Sequence, residues 1–406
     1  MIARALRAVW ANIGFVAVAA VLVYCVVHAF DPPRLNWGDS ASDYNAMTAG
    51  RNFVKYGFWN LKLTPHVMDP ALMTEADRVL IYTHYPQLPD VMNGVLRVFG
   101  LTDLVQFRFV ALLFSFGGLF FAYRLVSEYW TRQAAQIAIA LWVMTPLWLQ
   151  HADYLHHAPY AAFFGGACLY NLVRYLRHGE RAINLALSGL CMVIVFFASY
   201  DAWIFIPVLT AIITFGHYGI RLPAIRVLSI LAACAVAALA LKWTTNAWAL
   251  GGFSAFVQDL RFQFVERATN TAVKVAYQRG VWPTFFGRIE RNFSLLLLPI
   301  AAFWALLPLV RRRVADRFPA LANVRANPTW LLVAALPFLV IFTELWVGQY
   351  YPALLVVPFY AVACGVLIAA LMESSVRWAK LVAAAIVAAL ALNSLQENAA
   401  FDKAFF

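Results

Sequence analysis

The chain is broken into about eleven continuous apolar runs, most of them close to the ~20 residues a helix needs to cross a bilayer. No other feature restricts the fold so tightly. In hydrocarbon every backbone N–H and C=O has to be paired internally, which leaves helices and closed barrels as spanning structures. Barrel strands alternate apolar and polar residues, whereas these runs are unbroken, so the chain reads as an all-α, polytopic membrane bundle. The runs lie near 11–30, 104–125, 134–149, 158–176, 183–199, 203–219, 227–249, 293–310, 329–346, 352–371 and 380–396. The tightest junction among them is the turn Ser199-Tyr200-Asp201-Ala202. Composition agrees. Of 406 residues 63% are hydrophobic and 13% charged, and mean hydropathy is +0.71. Ordinary globular chains are ~45–50% apolar and ~25% charged, so a disordered chain, a coiled coil and a water-soluble enzyme are excluded.

A net charge of +11 would suggest a nucleic-acid partner in a soluble protein. Topology explains it instead. With the N-terminus inside, the inside segments carry sixteen basic residues, from Arg4 and Arg7 through the Arg311-Arg312-Arg313 cluster to Arg377 and Lys380. Against them stand four acids, Glu128, Glu180, Asp316 and Glu373. The outer side is then nearly neutral, as the positive-inside rule expects, and no nucleic acid is needed. The first run is too long for a removable signal and lacks a small-residue cleavage site, so it reads as a first spanning helix. The five cysteines all sit in apolar runs without metal or redox spacing and read as small buried hydrophobes. Residues 1–406 are expected to form one transmembrane domain. Two long outside segments, 31–103 and 250–292, are rich in aromatics and carry amphipathic helices. The halves show no matching broken helices, which weakens a secondary-transporter reading.

Past the first run comes Trp37-Gly38-Asp39-Ser40-Ala41-Ser42-Asp43-Tyr44, then an amphipathic helix expected to end near Gly57 in Tyr56-Gly57-Phe58-Trp59. The segment Thr83-His84-Tyr85-Pro86-Gln87-Leu88-Pro89 leads into another helix, and the next span opens with Gln106-Phe107-Arg108-Phe109. This order resembles the GT-C membrane glycosyltransferases. Within them it is similar to the polyprenyl-phosphate-sugar enzymes related to protein O-mannosyltransferases and lipid A aminoarabinose transferases. The resemblance covers about residues 35–215 and returns at Gly348-Gln349-Tyr350-Tyr351-Pro352. Two departures stand out: Ser40 follows Asp39 where the family has Glu, and Gln87 stands where a second proline is common.

The resemblance implies a GT-C-like fold in a multi-pass protein of a bacterial inner membrane, with a cytoplasmic N-terminus and a periplasmic site. It implies transfer of a hexosyl or pentosyl group from a polyprenyl-phosphate donor to a glycan, glycolipid or protein acceptor, with the lipid bilayer as a further partner. Asp39 is the first catalytic candidate, as general base on an acceptor hydroxyl or as ligand of a divalent metal, Mg or Mn. Asp43 is the second; four residues apart on a helix, the two would share a face. The alternative is that one caps the helix and the other is solvated. Attack opposite the leaving lipid phosphate would invert the anomeric centre, with cations stabilising the developing charge.

The remaining candidates are substrate-binding. His84 and Tyr85 either line a sugar pocket or belong to a proline-held loop. Asp153, His156 and His157 form a polar turn between apolar runs, read as site partners or as interfacial groups. Asp201 sits at a membrane boundary, where an acid is either functional or simply snorkelled and interfacial. Lys242, at the outer end of the seventh run, is a further candidate for the lipid phosphate. Arg261 and Arg267 interleave with Phe253, Phe256, Phe262 and Phe264 and could grip a lipid phosphate or anchor to headgroups. Tyr350 and Tyr351 either roof a pocket or belong to an aromatic belt. Two readings from other classes are a transporter or flippase of a lipid-linked saccharide and an inactive GT-C-like assembly subunit. A transporter would place ionisable residues in mid-helix, whereas here they gather at helix ends.

Overall fold

The structure is a computed structural model that describes residues 10–31, 40–73, 81, 83, 86–179, 181–261, 283, 286, 287, 289–317, 327–341 and 351–405. The helices in chain order are α1 (Ile13–His28), α2 (Ser40–Tyr56), α3 (Leu88–Val98), α4 (Leu104–Tyr129), α5 (Arg132–Met144), α6 (Pro146–His151), α7 (His157–Arg177) and α8 (Ala182–Ala198). They continue with α9 (Ala202–Tyr218), α10 (Leu222–Ala249), α11 (Phe253–Arg261), α12 (Leu297–Arg317), α13 (Thr329–Ile341), α14 (Val357–Glu373) and α15 (Arg377–Phe405). Among the described residues the only extended pairing is the isolated bridge between His66 and Ile81.

Within the described residues each apolar run is mostly helix, but three are not continuous. The run at 293–310 leaves the helix at Ser294, whose φ is 60, and is α-helical again from Leu297. The run at 134–149 breaks between α5 and α6, because Pro146 has no N–H to continue the ladder and Thr145 before it is extended, with φ −64 and ψ 124. The run at 352–371 opens with a 3-10 turn, Tyr351–Val356, and becomes α-helical only from Val357, with Pro358 in the first turn. Among the described residues four segments are long and apolar enough to cross a membrane: Leu104–Tyr129, Leu222–Ala249, Ala353–Glu373 and Arg377–Ala399. Shorter apolar helices, among them α1, α8 and α9, accompany them.

The chain divides into two compact units. The first holds residues 1–28, 119–151 and 281–406. Its centre is α14, which is apolar all round; 83% of the apolar segment Ala353–Glu373 is buried, against 22% for α15, so α14 is the interior helix of this unit and α15 is little covered by it. Gly365 lets α14 meet α5 at backbone distance, since a Cβ there would come 2.7 Å from the Ala138 nitrogen. Trp304 of α12 donates its indole N–H to the Ala363 carbonyl at 3.1 Å. Gln136 of α5 accepts from the Gly14 and Phe15 amides at 2.9 and 3.3 Å, serving the first turn of α1. Small residues at such crossings are what holds membrane helices together where no hydrophobic drive exists. Gly365→Val is therefore expected to destabilise the protein by about 1–3 kcal/mol or more, because the obstruction is backbone and cannot swing aside. A lower apparent Tm in detergent checks it.

The second unit holds residues 29–118 and 152–280. Here α2 crosses α3 at Gly50, where a Cβ would sit 3.2 Å from Asn93. Phe53 and Phe58, stacked with centroids 5.1 Å apart, cover Gly94. The α2 helix stops where expected, at Gly57, whose φ of 90 ends it without a Cβ penalty. Connections of three or four residues join α7, α8, α9 and α10, so these neighbours run antiparallel. The start of α7, the end of α8, the start of α9 and the end of α10 thus share one end of the unit. Arg177, Arg181 and Arg221 lie at the opposite end.

Candidate functional site

Helix α2 starts at Ser40, which puts Asp43 in its first turn, where the positive end of the helix dipole favours a carboxylate. Asp43 is nevertheless buried. Its charge is met by Arg108, near the start of α4 and only 1% exposed: Arg108 Nη2 lies 3.4 Å from Asp43 Oδ2. The same guanidinium presents Nε to Asp153 Oδ2 at 3.7 Å and donates through Nη1 to the carbonyls of Ala29 and Asp31 at 3.2 and 2.7 Å. Asp43 Oδ1 also accepts from the Leu155 amide at 3.4 Å. Two aspartates from distant parts of the chain therefore share one arginine. A buried charge persists when it is paired and further bonded; two carbonyls bond Arg108 through Nη1, while its Nε, 3.7 Å from Asp153, makes no hydrogen bond among the described residues.

Two residues beyond Leu155, His156 and His157 place their Nδ1 atoms 2.7 Å apart with rings nearly perpendicular. One proton lies between the two nitrogens, so one ring donates and the other accepts. Burial pushes the His156 imidazole down to about 4, which keeps it neutral at pH 7.

A second polar cluster in the same unit surrounds Thr83. Its carbonyl accepts from Asn246 Nδ2 at 2.9 Å, the Tyr200 hydroxyl at 3.2 Å and the Lys242 ammonium at 3.5 Å. Its hydroxyl donates to Asp259 of α11 at 2.7 Å. Gln87, just before α3, donates to Asn246 Oδ1 at 2.9 Å. Asp90, in the first turn of α3, is 2% exposed, and its Oδ2 has no hydrogen-bond partner among the described residues. Burial pushes the Asp90 carboxyl up to about 7, and the Lys242 charge works in the opposite direction.

Asp201 sits just before α9, 7% exposed, and burial pushes its carboxyl up to about 7 as well. A raised carboxyl binds its proton more tightly folded than unfolded. Its protonation supports the fold at low pH, and that support is lost as pH rises from the unfolded value of 3.8 through about 7. Asp201→Asn is expected to remove this slope: apparent Tm should be higher than wild type at pH 8 and close to it at pH 4. Parallel melting curves across that range check the prediction.

The structure thus brings Asp43 and Asp153 together through Arg108, His156 against His157, and Lys242 against the Thr83 segment. Arg261 ends α11 and is exposed. Tyr351 opens a 3-10 turn in the first unit, whereas the residues above belong to the second. Asp39, His84, Tyr85, Arg267 and Tyr350 lie outside the described residues. Sequence reasoning missed Arg108, Thr83, Gln87, Asp90, Asn246 and Asp259 as site residues. For Arg108 a signal existed, since an arginine inside an apolar run is expensive and calls for a partner.

Among the described residues no three His, Cys, Asp or Glu side chains converge as a metal site requires. Asp43 and Asp153 both turn towards Arg108, and the guanidinium occupies the place between them that a cation would take. These residues do not fit a divalent ion, and no step below runs through one. The Mg or Mn expectation at Asp39 lies outside the described residues.

No protein-family model and no curated protein sequence matches the chain. Two crystal structures of the Archaeoglobus fulgidus oligosaccharyltransferase do match in fold. The apo form has a TM-score of 0.54 at 15% identity and covers 94% of this chain. The form tethered through a disulfide to an acceptor peptide containing the NVT sequon has a TM-score of 0.53, again at 15% identity over 94%. This chain spans 56% and 55% of those chains, so it matches about half of their length. The chain is therefore similar in fold to that part of the oligosaccharyltransferase.

Proposed function

We propose that the chain is an integral membrane glycosyltransferase that takes a sugar from a polyprenyl-phosphate donor and delivers it to an extracytoplasmic acceptor. One observation carries the reading. On an oligosaccharyltransferase-like fold, the buried aspartates and histidines described in the second unit, with Arg108 and Lys242, lie towards one end, opposite the end that carries Arg177, Arg181 and Arg221. A donor with an apolar tail and an anionic head needs such a place, where lipid, cations and carboxylates meet at the membrane surface. The basic residues at the other end are what the positive-inside rule expects of a cytoplasmic face, which supports an extracytoplasmic site with a cytoplasmic N-terminus, in a bacterial inner membrane.

In this reading Asp39 is the base that takes the proton from the acceptor nucleophile. Asp43, four residues on, is the second carboxylate, held by Arg108 and the Leu155 amide so that the first turn of α2 has a fixed position. The acceptor oxygen bonds to the anomeric carbon as the bond to the lipid-phosphate oxygen breaks, inverting that centre. The leaving phosphate monoester is a weak base and needs cationic support more than a general acid. Lys242 is the described cation for that role, with Arg261 and Arg267 on the outer segment. His84, Tyr85, Asp153, His156, His157, Asp201, Tyr350 and Tyr351 remain the candidate lining of the donor and acceptor sites. The sequon peptide belongs to the archaeal enzyme; a peptide, a glycolipid and a glycan are the acceptor classes to try here.

Donor recognition is testable with the purified protein. A short-chain polyprenyl-phosphate hexose is expected to stabilise it saturably and more strongly than the bare polyprenyl phosphate. An inert scaffold would be stabilised by neither. A flippase would carry the intact lipid across a vesicle membrane without breaking the sugar–phosphate bond.

A further inference from the structure

Arg97 lies in the last turn of α3, seven residues before Leu104 opens α4. Its guanidinium sits 5.0 Å from the ring centre of Phe107, in the first turn of that membrane-spanning helix. Arg97 therefore stands at the level where lipid headgroups begin. Its Nη2 donates to Met47 Sδ of α2 at 3.4 Å, and its buried Nε has no hydrogen-bond partner among the described residues. Arg51, one turn on from Met47, reaches back to Thr48, donating through Nη2 to Oγ1 at 3.3 Å. Burial and then the Arg51 charge push the Arg97 guanidinium down from its ordinary value, while Asp103 works the other way. Neither arginine forms an ion pair among the described residues, whereas Arg108 has two aspartates for the same charge. Two like charges from neighbouring helices thus come close enough to repel, with no carboxylate in contact. The residues that follow Arg97, Val98 and Phe99, are 64% and 78% exposed, and Phe109 and Leu113 of α4 are exposed as well. Paired cations beside a bare apolar rim match an amphiphile with an anionic head.

We infer that Arg51 and Arg97 form a binding site for the phosphate headgroup of an anionic phospholipid in the outer leaflet. The two planar forks donate to the phosphate oxygens, and Val98 and Phe99 enter the acyl boundary beside it. The bound anion offsets the repulsion that the fold leaves between the two charges. A single arginine at this level is an ordinary headgroup anchor. The second, drawn from another helix, makes the site selective for a head of net negative charge. The lipid so held joins α2 to α3 at the membrane surface. The inference needs only the membrane topology and stands apart from the glycosyltransferase reading.

The test titrates the full chain in a nonionic detergent with phosphatidylglycerol, phosphatidylcholine or inorganic phosphate, reading apparent Tm and, by native mass spectrometry, the lipid retained. The variants are Arg51→Gln, Arg97→Gln, both together, and Arg97→Lys. Arg181→Gln, an exposed arginine at the other end of the unit, is the control. Phosphatidylglycerol is expected to stabilise the wild type saturably, and the other two far less. Each single Gln variant should weaken that binding about tenfold or more, the scale of one lost charge-assisted hydrogen bond. Arg97→Lys should lose part of it, since the charge stays and the fork goes. The control should bind as wild type. In lipid-free detergent Arg51→Gln should melt no lower than wild type, because it removes a repulsion; an Arg51 with a merely structural role would melt lower on substitution with or without lipid. If the double variant does not fold, the single variants are judged by the same criterion. Equal phosphatidylglycerol binding in wild type and the folded Gln variants would overturn the inference, as would an equal loss in the control. So would a wild type that shows no saturable response to phosphatidylglycerol, or an equal one to phosphatidylcholine. Saturable binding of inorganic phosphate in place of lipid would make the occupant a free anion and overturn it too.

Discussion

Arg108→Met is expected to destabilise the protein by about 3–5 kcal/mol, the cost of removing one partner from a buried ion pair. The reason lies in what stays behind. Without the guanidinium, Asp43 and Asp153 are two buried carboxylates with no cation between them, and the Ala29 and Asp31 carbonyls lose their donor. Methionine fills much of the volume, so packing contributes little to the loss. The double change Asp43→Asn with Asp153→Asn in the Arg108→Met background is expected to recover a substantial part of it, because the carboxylates that lost the guanidinium are then neutral. Apparent Tm in one detergent, compared across the series, reads this directly. An unchanged Tm for Arg108→Met would mean that the arrangement of Asp43, Arg108 and Asp153 is not the native one.

Asp39→Asn is expected to lower kcat by about 10²–10⁴-fold, the usual contribution of a positioned general base. Donor affinity should stay within about threefold of wild type, since an interaction made only in the transition state does not affect ground-state binding. Asp43→Asn should behave differently: Arg108 keeps Asp153 but loses its other carboxylate, so stability falls along with turnover. The contrast separates a residue that acts on substrate from one that fixes the helix beside it. Equal kcat in wild type and a folded Asp39→Asn variant would remove Asp39 from the chemistry.

Much of the architecture could be read from apolar patterning, because lipid leaves a buried chain few alternatives. The turn at 199–201, the stop at Gly57 and the helix Leu88–Val98 all carry local signals, a polar break, a glycine and an amphipathic period. The break before Pro146 carried one too, and an unbroken run at 134–149 ignored what a missing N–H does to a ladder. The site was less legible because its contacts are long-range. Asp43 and Asp153 could be picked out singly as acids near membrane ends, yet nothing local says that Arg108 joins them. Asp90 follows Pro89 at the start of an amphipathic helix and reads as a solvated first-turn acid. Its burial arises from how α3 packs within the second unit, beside the Lys242 charge. Asn246 reads as a stray polar residue at the end of a span until the Thr83 and Gln87 bonds are seen together.

The most direct test of the account follows a label in the sugar of a polyprenyl-phosphate donor, with the purified protein and extracytoplasmic peptide, glycolipid and glycan acceptors. The account predicts that the label leaves the lipid for one acceptor class, with polyprenyl phosphate released in equal amount and the anomeric configuration inverted. A donor that binds but never gives up its sugar, while the same protein carries the intact lipid across a vesicle bilayer, would contradict it.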